Sequence, residues 1–373
     1  MQISMFEGKK PFKITKPLRL IELFAGIGAQ AKALENLGIE FEHYRICEFD
    51  KYAVSSYNAV HGTNFGTSDI TKIHAEDLGI VETDKYEYIM TYSFPCTDLS
   101  TAGRQAGMKK GSGTRSGLLW EVERLLTEMK ELPQVLVMEN VPQVIGSKNI
   151  KYFAEWVSFL DNLGYHSKWG ILNAKDFEIP QNRRRCFMVS VLGDYYYNFP
   201  IETIRTKPLI DFLEFDKKYI IDPVKLTQTQ KNCISHISNE TFSKAIRIGG
   251  LKSRDRHEWA VYSVELRQSG KFIKNKSLWI KNLSKTICVC HLNSYTIDGK
   301  TYFDYSPKEC WRLMGFDDES FFRAEEKVSS SQLYKQAGNS IVVTVLMAIF
   351  GQMFDIKWGN KINEAVEKII YKS

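Results

Sequence analysis

Cys96 closes the stretch Ser93-Phe94-Pro95-Cys96, which follows the apolar run Tyr88 to Tyr92. A thiol at the carboxyl end of a buried strand stands where open α/β sheets carry out their chemistry. Pro95 fixes its own φ and pushes Phe94 toward an extended backbone, so the approach to the thiol is stiff. Gly103, Gly107, Gly111 and Gly113 follow and predict a loop able to close over a substrate. A buried structural cysteine would explain Cys96 alone. Its company argues otherwise. A second apolar run, Gln134 to Met138, leads into Glu139, a carboxylate expected on the same rim. Arg183 and Arg185 alternate in Gln181-Asn182-Arg183-Arg184-Arg185 and would share one strand face. The two arginines could equally be a surface ion-pair cluster, but a thiol and a carboxyl on neighbouring strand ends make a chemical constellation, which one residue does not.

The elements that must position these groups read as strand, turn and helix. Leu18 to Phe24 is a buried-strand run, Ala25-Gly26-Ile27-Gly28 a turn, and Ala29 to Leu37 a helix closed by Gly38. This pattern matches a nucleotide-binding βα unit, with glycines that let backbone approach a ligand, though a plain tight turn explains the glycines as well. Glu48 ends the next strand, Tyr44 to Cys47, twenty residues after Gly28, where an acidic residue binds ribose hydroxyls. A third glycine and a basic residue for a pyrophosphate are missing, so the ligand reads as an adenosine without phosphates. Asp69 is either an acceptor for an adenine amino group or a cap. Ser116 is expected to cap a helix from Leu118 to Met129, and Phe153 to Leu163 to form another. Pro307 starts a short helix stopped by Gly315. Gln336 to Ile341 are expected to open the last helix, Ile341 to Phe354.

A chain of 373 residues exceeds what one core usually serves. We expect a catalytic domain over 1–200 completed by 332–373, and a smaller domain over 201–331. The net charge is +6, but the segment from Lys244 to Lys285 carries eleven Lys or Arg against Asp255, Glu258 and Glu265, a local +8. The remainder therefore sums to −2. Such a segment on a near-neutral body is the footprint of a polyanion-binding surface, or else a solvated charged face. Interleaved Trp259, Tyr262, Phe272 and Trp279 argue for a folded module. Seven cysteines without metal-site spacing predict no metal and fit a reducing cytoplasm, with Cys288 and Cys290 as packing residues. The apolar run Ile341 to Phe350 is too short to span a bilayer, and Met1 to Lys16 has no signal-peptide core.

Five of these segments, in this order, resemble the motifs of the bacterial and phage DNA (cytosine-5)-methyltransferases. They are Phe24 to Gly28, Pro95-Cys96, Glu139 to Val141, Gln181 to Arg185 and Gly338-Asn339-Ser340, and they cover about residues 18 to 350. The segment Gly111 to Glu121 is also similar to members from low-GC bacteria. The resemblance implies a Rossmann-like α/β domain that binds S-adenosyl-L-methionine, and a smaller, mainly β target-recognition domain with its recognition region at about 201–283. Phe24, Ala25, Gly26, Ile27 and Gly28 would form the cofactor loop. Phe24 and Phe49 would sandwich the adenine, with Ile70 and Leu118 nearby. Glu48 would hold the ribose and Asp69 the adenine amino group, and Pro95, Asn339 and Ser340 would complete the site. Cys96 would add to C6 of a cytosine flipped out of duplex DNA. Glu139 would donate to N3, Arg185 would hold O2, and Arg183 would support the thiol or a phosphate.

DNA contacts are expected from Ser100, Arg104 and Gln105, and from Arg254, Arg256, Lys271, Lys274 and Lys276 in the basic segment. The family often places a polar residue six positions beyond the cysteine. Here that residue is Ala102, which leaves Arg104, Gln105 or the recognition region to fill the space of the flipped base. The expected partner is double-stranded DNA, with a cognate restriction endonuclease as a further candidate, and the expected state is a cytoplasmic, nucleoid-associated monomer. Rival readings are a tRNA cytosine-5 methyltransferase, a silent DNA-binding protein on this scaffold, and an NAD-dependent oxidoreductase. The missing third glycine disfavours the last.

Overall fold

The computed structural model describes residues 9–96, 98–99, 107–201, 207–221 and 302–371, together with the backbone of short strands at 235–236, 246–248, 284–285 and 292–296. Ala102, Ser100, Arg104, Gln105, Arg254, Arg256, Lys271, Lys274, Lys276, Cys288 and Cys290 lie outside the described residues.

The first unit is β1 (Leu18–Leu23), a tight turn, and α1 (Ala29–Leu37), which stops at Gly38 in the left-handed conformation, φ 73°. Then come β2 (Phe41–Cys47), α2 (Lys51–His61) and β3 (Glu87–Tyr92), the strand that leads to Cys96. α3 (Leu119–Glu128) and β4 (Val135–Asn140) follow, then α4 (Ile150–Asn162), β5 (Tyr165–Asn173) and β6 (Arg184–Leu192). They form one six-stranded sheet in the order β2-β1-β3-β4-β6-β5. β2, β1, β3 and β4 run parallel, whereas β6 is antiparallel to both β4 and β5.

This topology positions the site. From β1 the chain crosses outward to β2, and from β3 it crosses the other way to β4. The carboxyl ends of β1 and β3 therefore flank a topological switch point, where open α/β sheets hold ligands. β6, running the opposite way, begins at the rim where β4 ends.

Strand alternation separates two apolar layers. Val135, Val137, Phe187 and Val189 point into one, and Leu136, Met138, Cys186 and Met188 into the other. The C-terminal segment supplies α5 (Pro307–Arg312), α6 (Asp318–Glu325), α7 (Ser330–Asn339), α8 (Val343–Phe354) and α9 (Trp358–Ile370). α8 is buried from Val343 to Gly351 and shares the first layer with α1. α6 packs on α2, with Arg323 Nη1 donating to the Val60 carbonyl at 3.3 Å, and Lys32 pairs with Asp317 at 2.8 Å. Short strands Ile220–Ile221, Ser235–His236, Ile246–Ile248, Leu292–Thr296 and Tyr302–Asp304 form a second, mostly antiparallel sheet.

Two expectations about elements are corrected. Gln336 to Asn339 close α7 rather than open the last helix: the chain turns through Ser340 to Val342, α8 starts at Val343, and the final helix is α9. Ser116 does not cap α3. Its hydroxyl donates to the Pro95 carbonyl at 2.7 Å, while Thr114 and Asp98 accept the free N–H groups of the turn before α3. Among the described residues no single helix is long and apolar enough to cross a membrane.

Candidate active site

The thiol is set by four bonds around it. Asn140 Nδ2 donates to the Phe94 carbonyl at 2.9 Å and Ser116 Oγ to the Pro95 carbonyl at 2.7 Å. Leu99 N donates to the Cys96 carbonyl at 3.0 Å, and the Asp98 carboxylate accepts from Arg115 N at 2.8 Å. The Leu99 bond to Cys96 closes a tight turn directly after the nucleophile, and Gly107 N donating to the Asp98 carbonyl at 3.0 Å fastens the next segment to that turn. Asn140 and Ser116 are the positioning residues that reading the sequence missed. A polar amide ending an otherwise apolar strand was the available signal for Asn140.

Glu139 sits at the carboxyl end of β4, the neighbour of β3, so thiol and carboxyl share one rim. Glu139 is directly opposite Phe187 on β6, and Arg185 precedes Phe187 by two residues. The three side chains therefore lie on one face of the sheet. Arg185 Nε is 3.0 Å from Glu139 Oε1, with both side chains mostly buried. Burial pushes the Glu139 carboxyl above its ordinary range, with Arg185 and Arg183 pulling against it. Burial and the Glu139 charge push the Cys96 thiol up, and the same two arginines again oppose the shift. At rest the pocket thus favours a neutral thiol.

Arg183 precedes β6 and is buried. Its Nη2 donates to the carbonyls of Gly338 at 3.0 Å and Ser340 at 2.6 Å, at the end of α7. A cation suits these helix-terminal carbonyls. Arg183 therefore ties the Gly338-Asn339-Ser340 segment to the rim that carries Arg185. With Arg185, Phe187, Ile341, Val342 and Val345 it lines a narrow cleft.

The glycine turn lies across the switch point. Phe24 adopts φ 59° and donates its N–H to the Cys47 carbonyl at 2.7 Å. Glu48 joins two loops, accepting from Gly26 N at 2.9 Å and Asp50 N at 2.8 Å. Burial raises its pKa, and those N–H groups oppose the rise. Asp50, not Glu48, caps α2. Gly26 has φ 59° and open space where a Cβ would stand, while Gly28, φ 77°, leaves no room because His61 Nε2 would lie 2.2 Å away. Phe49, 78 % exposed, directly follows Glu48 in the chain. Ile70 is buried and Leu118 half-buried. Asp69 accepts from Thr71 N at 3.0 Å and Thr71 Oγ1 at 2.8 Å, heading a turn rather than a helix, and these bonds hold its pKa down. Lys335 pairs with Asp50 at 2.6 Å and Gln336 donates to the Tyr52 carbonyl at 3.0 Å, so α7 also reaches this edge; Asn339 is exposed there and Ser340 buried. Buried hydroxyls of Ser68 and Ser93 have no hydrogen-bond partner among the described residues. An open-sided turn, an exposed aromatic and hydroxyls unsatisfied among the described residues fit an adenosine-like ligand.

A Rossmann-like sheet with a thiol, a carboxyl and a guanidinium at its switch-point rim is the architecture of a methyltransferase. The sequence model of the C-5 cytosine-specific DNA methylases matches residues 18–355, and the chain belongs to that family. It is 30% identical to the type II methyltransferase M2.ScrFI of Lactococcus lactis subsp. cremoris, over 90% of this chain and 99% of that protein. It is 32% identical to the orphan methyltransferase M.SssI of Spiroplasma monobiae, over 91% of this chain and 98% of that protein. The S. pombe Dnmt2 methyltransferase structure has the same fold, with a TM-score of 0.63 and 18% identity over 90% of this chain and 98% of that one. The protein is a DNA (cytosine-5)-methyltransferase.

Proposed function

We propose that Cys96 attacks C6 of a cytosine flipped from duplex DNA, and that S-adenosyl-L-methionine is the methyl donor. The observation that carries this reading is the meeting of Cys96, Glu139 and Arg185 on one rim beside the open glycine turn. Phe24 and Phe49 would clasp the adenine, Glu48 would take the ribose with its remaining lone pairs, and Asp69 would accept from the amino group. The bound donor supplies an electrophilic methyl on a sulfonium.

C5 of cytosine is too weak a nucleophile to accept that methyl unaided. Addition of the Cys96 sulfur to C6 turns C5 into a carbanion equivalent. Burial raises the thiol pKa, so its proton would pass to solvent as the base enters and the thiolate attacks. Glu139, whose pKa burial raises, would take up a proton as Arg185 leaves it and pass that proton to N3 as charge flows onto the ring. Arg185 would turn from Glu139 to O2 of the base. Methyl transfer to C5 would leave S-adenosyl-L-homocysteine; a base such as water would then take the C5 proton, the S–C6 bond would break with its electron pair returning to sulfur, N3 would return its proton to Glu139, and the thiolate would be reprotonated from solvent.

The recognition region at about 201–283 and its basic segment would grip the duplex, recovering the few kcal/mol that flipping costs. We assign the catalytic body to 1–200 with 332–373; packing of α6 on α2 supports adding 307–331 to it. A monomer in the cytoplasm, acting as an orphan or phage enzyme or beside a restriction endonuclease, completes the reading.

Incubation with S-adenosyl-L-methionine and duplexes carrying 5-fluorocytosine should trap a covalent adduct at Cys96, because fluorine blocks the final elimination. An adduct at another residue, or none on a duplex that the protein methylates in its unfluorinated form, would overturn the assignment. Bisulfite sequencing of DNA from expressing cells identifies that duplex.

A further inference from the structure

Behind the glycine turn, three elements bring together side chains that the methyl-transfer reading leaves unused: Glu35 on α1, His43 on β2 and His61 at the end of α2. Their ligand-type atoms all lie within 4.8 Å of one another. Glu35 Oε1 is 2.6 Å from His61 Nδ1 and 3.8 Å from His43 Nε2. Ligands of a tetrahedral zinc-class ion, at bonds of about 2.1 Å, stand about 3.4 Å apart. The two separations straddle that spacing.

The far side of each ring is already committed. His61 Nε2 is 3.2 Å from the Ile27 carbonyl, which can only accept. His43 Nδ1 is 3.1 Å from the Tyr57 hydroxyl, which itself donates to the buried Glu22 carboxylate at 2.5 Å. With its own proton given to Glu22, the Tyr57 oxygen is left to accept from His43 Nδ1, and the Ile27 carbonyl accepts from His61 Nε2, so both outer nitrogens carry the proton. The inner nitrogens, His61 Nδ1 and His43 Nε2, are then left with lone pairs facing Glu35. A histidine that ligates a metal shows this pattern, its other N–H fixed by a carbonyl or a relayed carboxylate. Lys32 lies 3.8 Å from Glu35 Oε2 but is held more closely by Asp317, at 2.8 Å.

We propose that Glu35, His43 and His61 bind one divalent transition-metal ion of the zinc class, with water as the fourth ligand. The His61 side chain is fully buried against Gly28 and holds the Ile27 carbonyl, so the ion braces the turn from behind.

The test uses the full chain, stripped of metal, titrated with zinc sulfate against a chromophoric chelator and then reconstituted with Co²⁺. One Zn²⁺ per chain and visible Co²⁺ d–d bands without thiolate charge-transfer are expected. Glu35→Gln and His43→Ala should each weaken Zn²⁺ binding by at least about 10-fold, and Tyr57→Phe by about 10-fold through loss of the relay. Far-UV dichroism verifies that each variant is folded, and Glu35→Gln, on a partly exposed helix face, keeps the test open if His43→Ala does not fold. Failure to bind Zn²⁺ at unit stoichiometry, thiolate charge-transfer bands, or unchanged affinity in the folded variants would overturn the proposal.

Discussion

Arg185 Nε and Glu139 Oε1, 3.0 Å apart, form an ion pair between neighbouring antiparallel strands at the rim that carries Cys96. The pair holds the carboxyl in place before substrate arrives, while burial keeps its pKa raised. Proton donation of this kind contributes roughly 10²- to 10⁴-fold. Glu139→Gln should slow single-turnover methyl transfer by about that factor and leave S-adenosyl-L-methionine affinity nearly unchanged. Rapid-quench kinetics and calorimetry measure the two quantities; a near wild-type rate would remove Glu139 from the chemistry.

Arg183 acts on a different part of the rim. It is buried and serves two carbonyls at the end of α7. A buried acceptor left without a donor costs about 1–3 kcal/mol, so Arg183→Ala should lower unfolding free energy by on the order of 2–4 kcal/mol. Denaturant midpoints at unchanged m-value read this loss. Arg183→Lys, which can reach one carbonyl but not hold both in a planar fork, should fall between. A loss of activity at full stability would instead point to a direct contact with substrate.

The βα unit was legible because its signals are local. Gly38 ends α1 where the apolar period stops, and Pro307 and Gly315 bracket α5 in the same way. Cys96 and Glu139 were legible as strand-end groups because each follows an apolar run. What stayed hidden depends on partners far along the chain. Ser116 reads as a cap until Pro95 is seen beside it, 21 residues away in sequence. Gln336 to Asn339 read as a helix start because the apolar α8 follows directly, yet the chain turns at Ser340, whose carbonyl, with that of Gly338 in the last turn of α7, accepts from Arg183, 157 positions before Ser340. His43, His61 and Glu35 share no sequence spacing, since three separate elements deliver them.

Gly28 tests the turn itself. Its φ of 77° disfavours any side chain, and a Cβ would come within 2.2 Å of His61 Nε2 and 2.7 Å of Tyr57 Cε2. Both rings are held by hydrogen bonds, so neither yields freely. Gly28→Ala should weaken S-adenosyl-L-methionine binding by at least about 10-fold, or about 1.4 kcal/mol, and lower the melting temperature. Gly26→Ala has open space for the methyl and only the φ penalty. It should therefore cost less stability than Gly28→Ala, and thermal melts of the two variants decide the order.

The basic segment carries a prediction that depends on charge alone. Each phosphate neutralised contributes about −0.9 to the slope of log K against log salt on duplex DNA, so replacing Lys271, Lys274 and Lys276 together by Gln should make that slope shallower by up to about 3. Binding to all duplexes should weaken alike. Fluorescence anisotropy across a salt series measures it, and an unchanged slope would put the phosphate contacts elsewhere.

Glu22 gives the fold a pH dependence of its own. The carboxyl is fully buried on β1, accepts from the Tyr57 hydroxyl, and has its pKa raised by burial from 4.5 to about 7. A carboxyl with a folded-state pKa above its unfolded value binds more protons when folded, so its contribution is complete below the unfolded pKa and is lost as pH rises through the folded one. Stability should therefore fall between about pH 4.5 and pH 7 through this group, by on the order of 3 kcal/mol at about 1.36 kcal/mol per pKa unit. Glu22→Gln keeps an oxygen for Tyr57 but cannot ionise, so its urea-unfolding free energy should be flatter over that window, measured with a chelator present to keep metal out of the Glu35 cluster. If wild type and Glu22→Gln follow parallel curves, Glu22 does not titrate there.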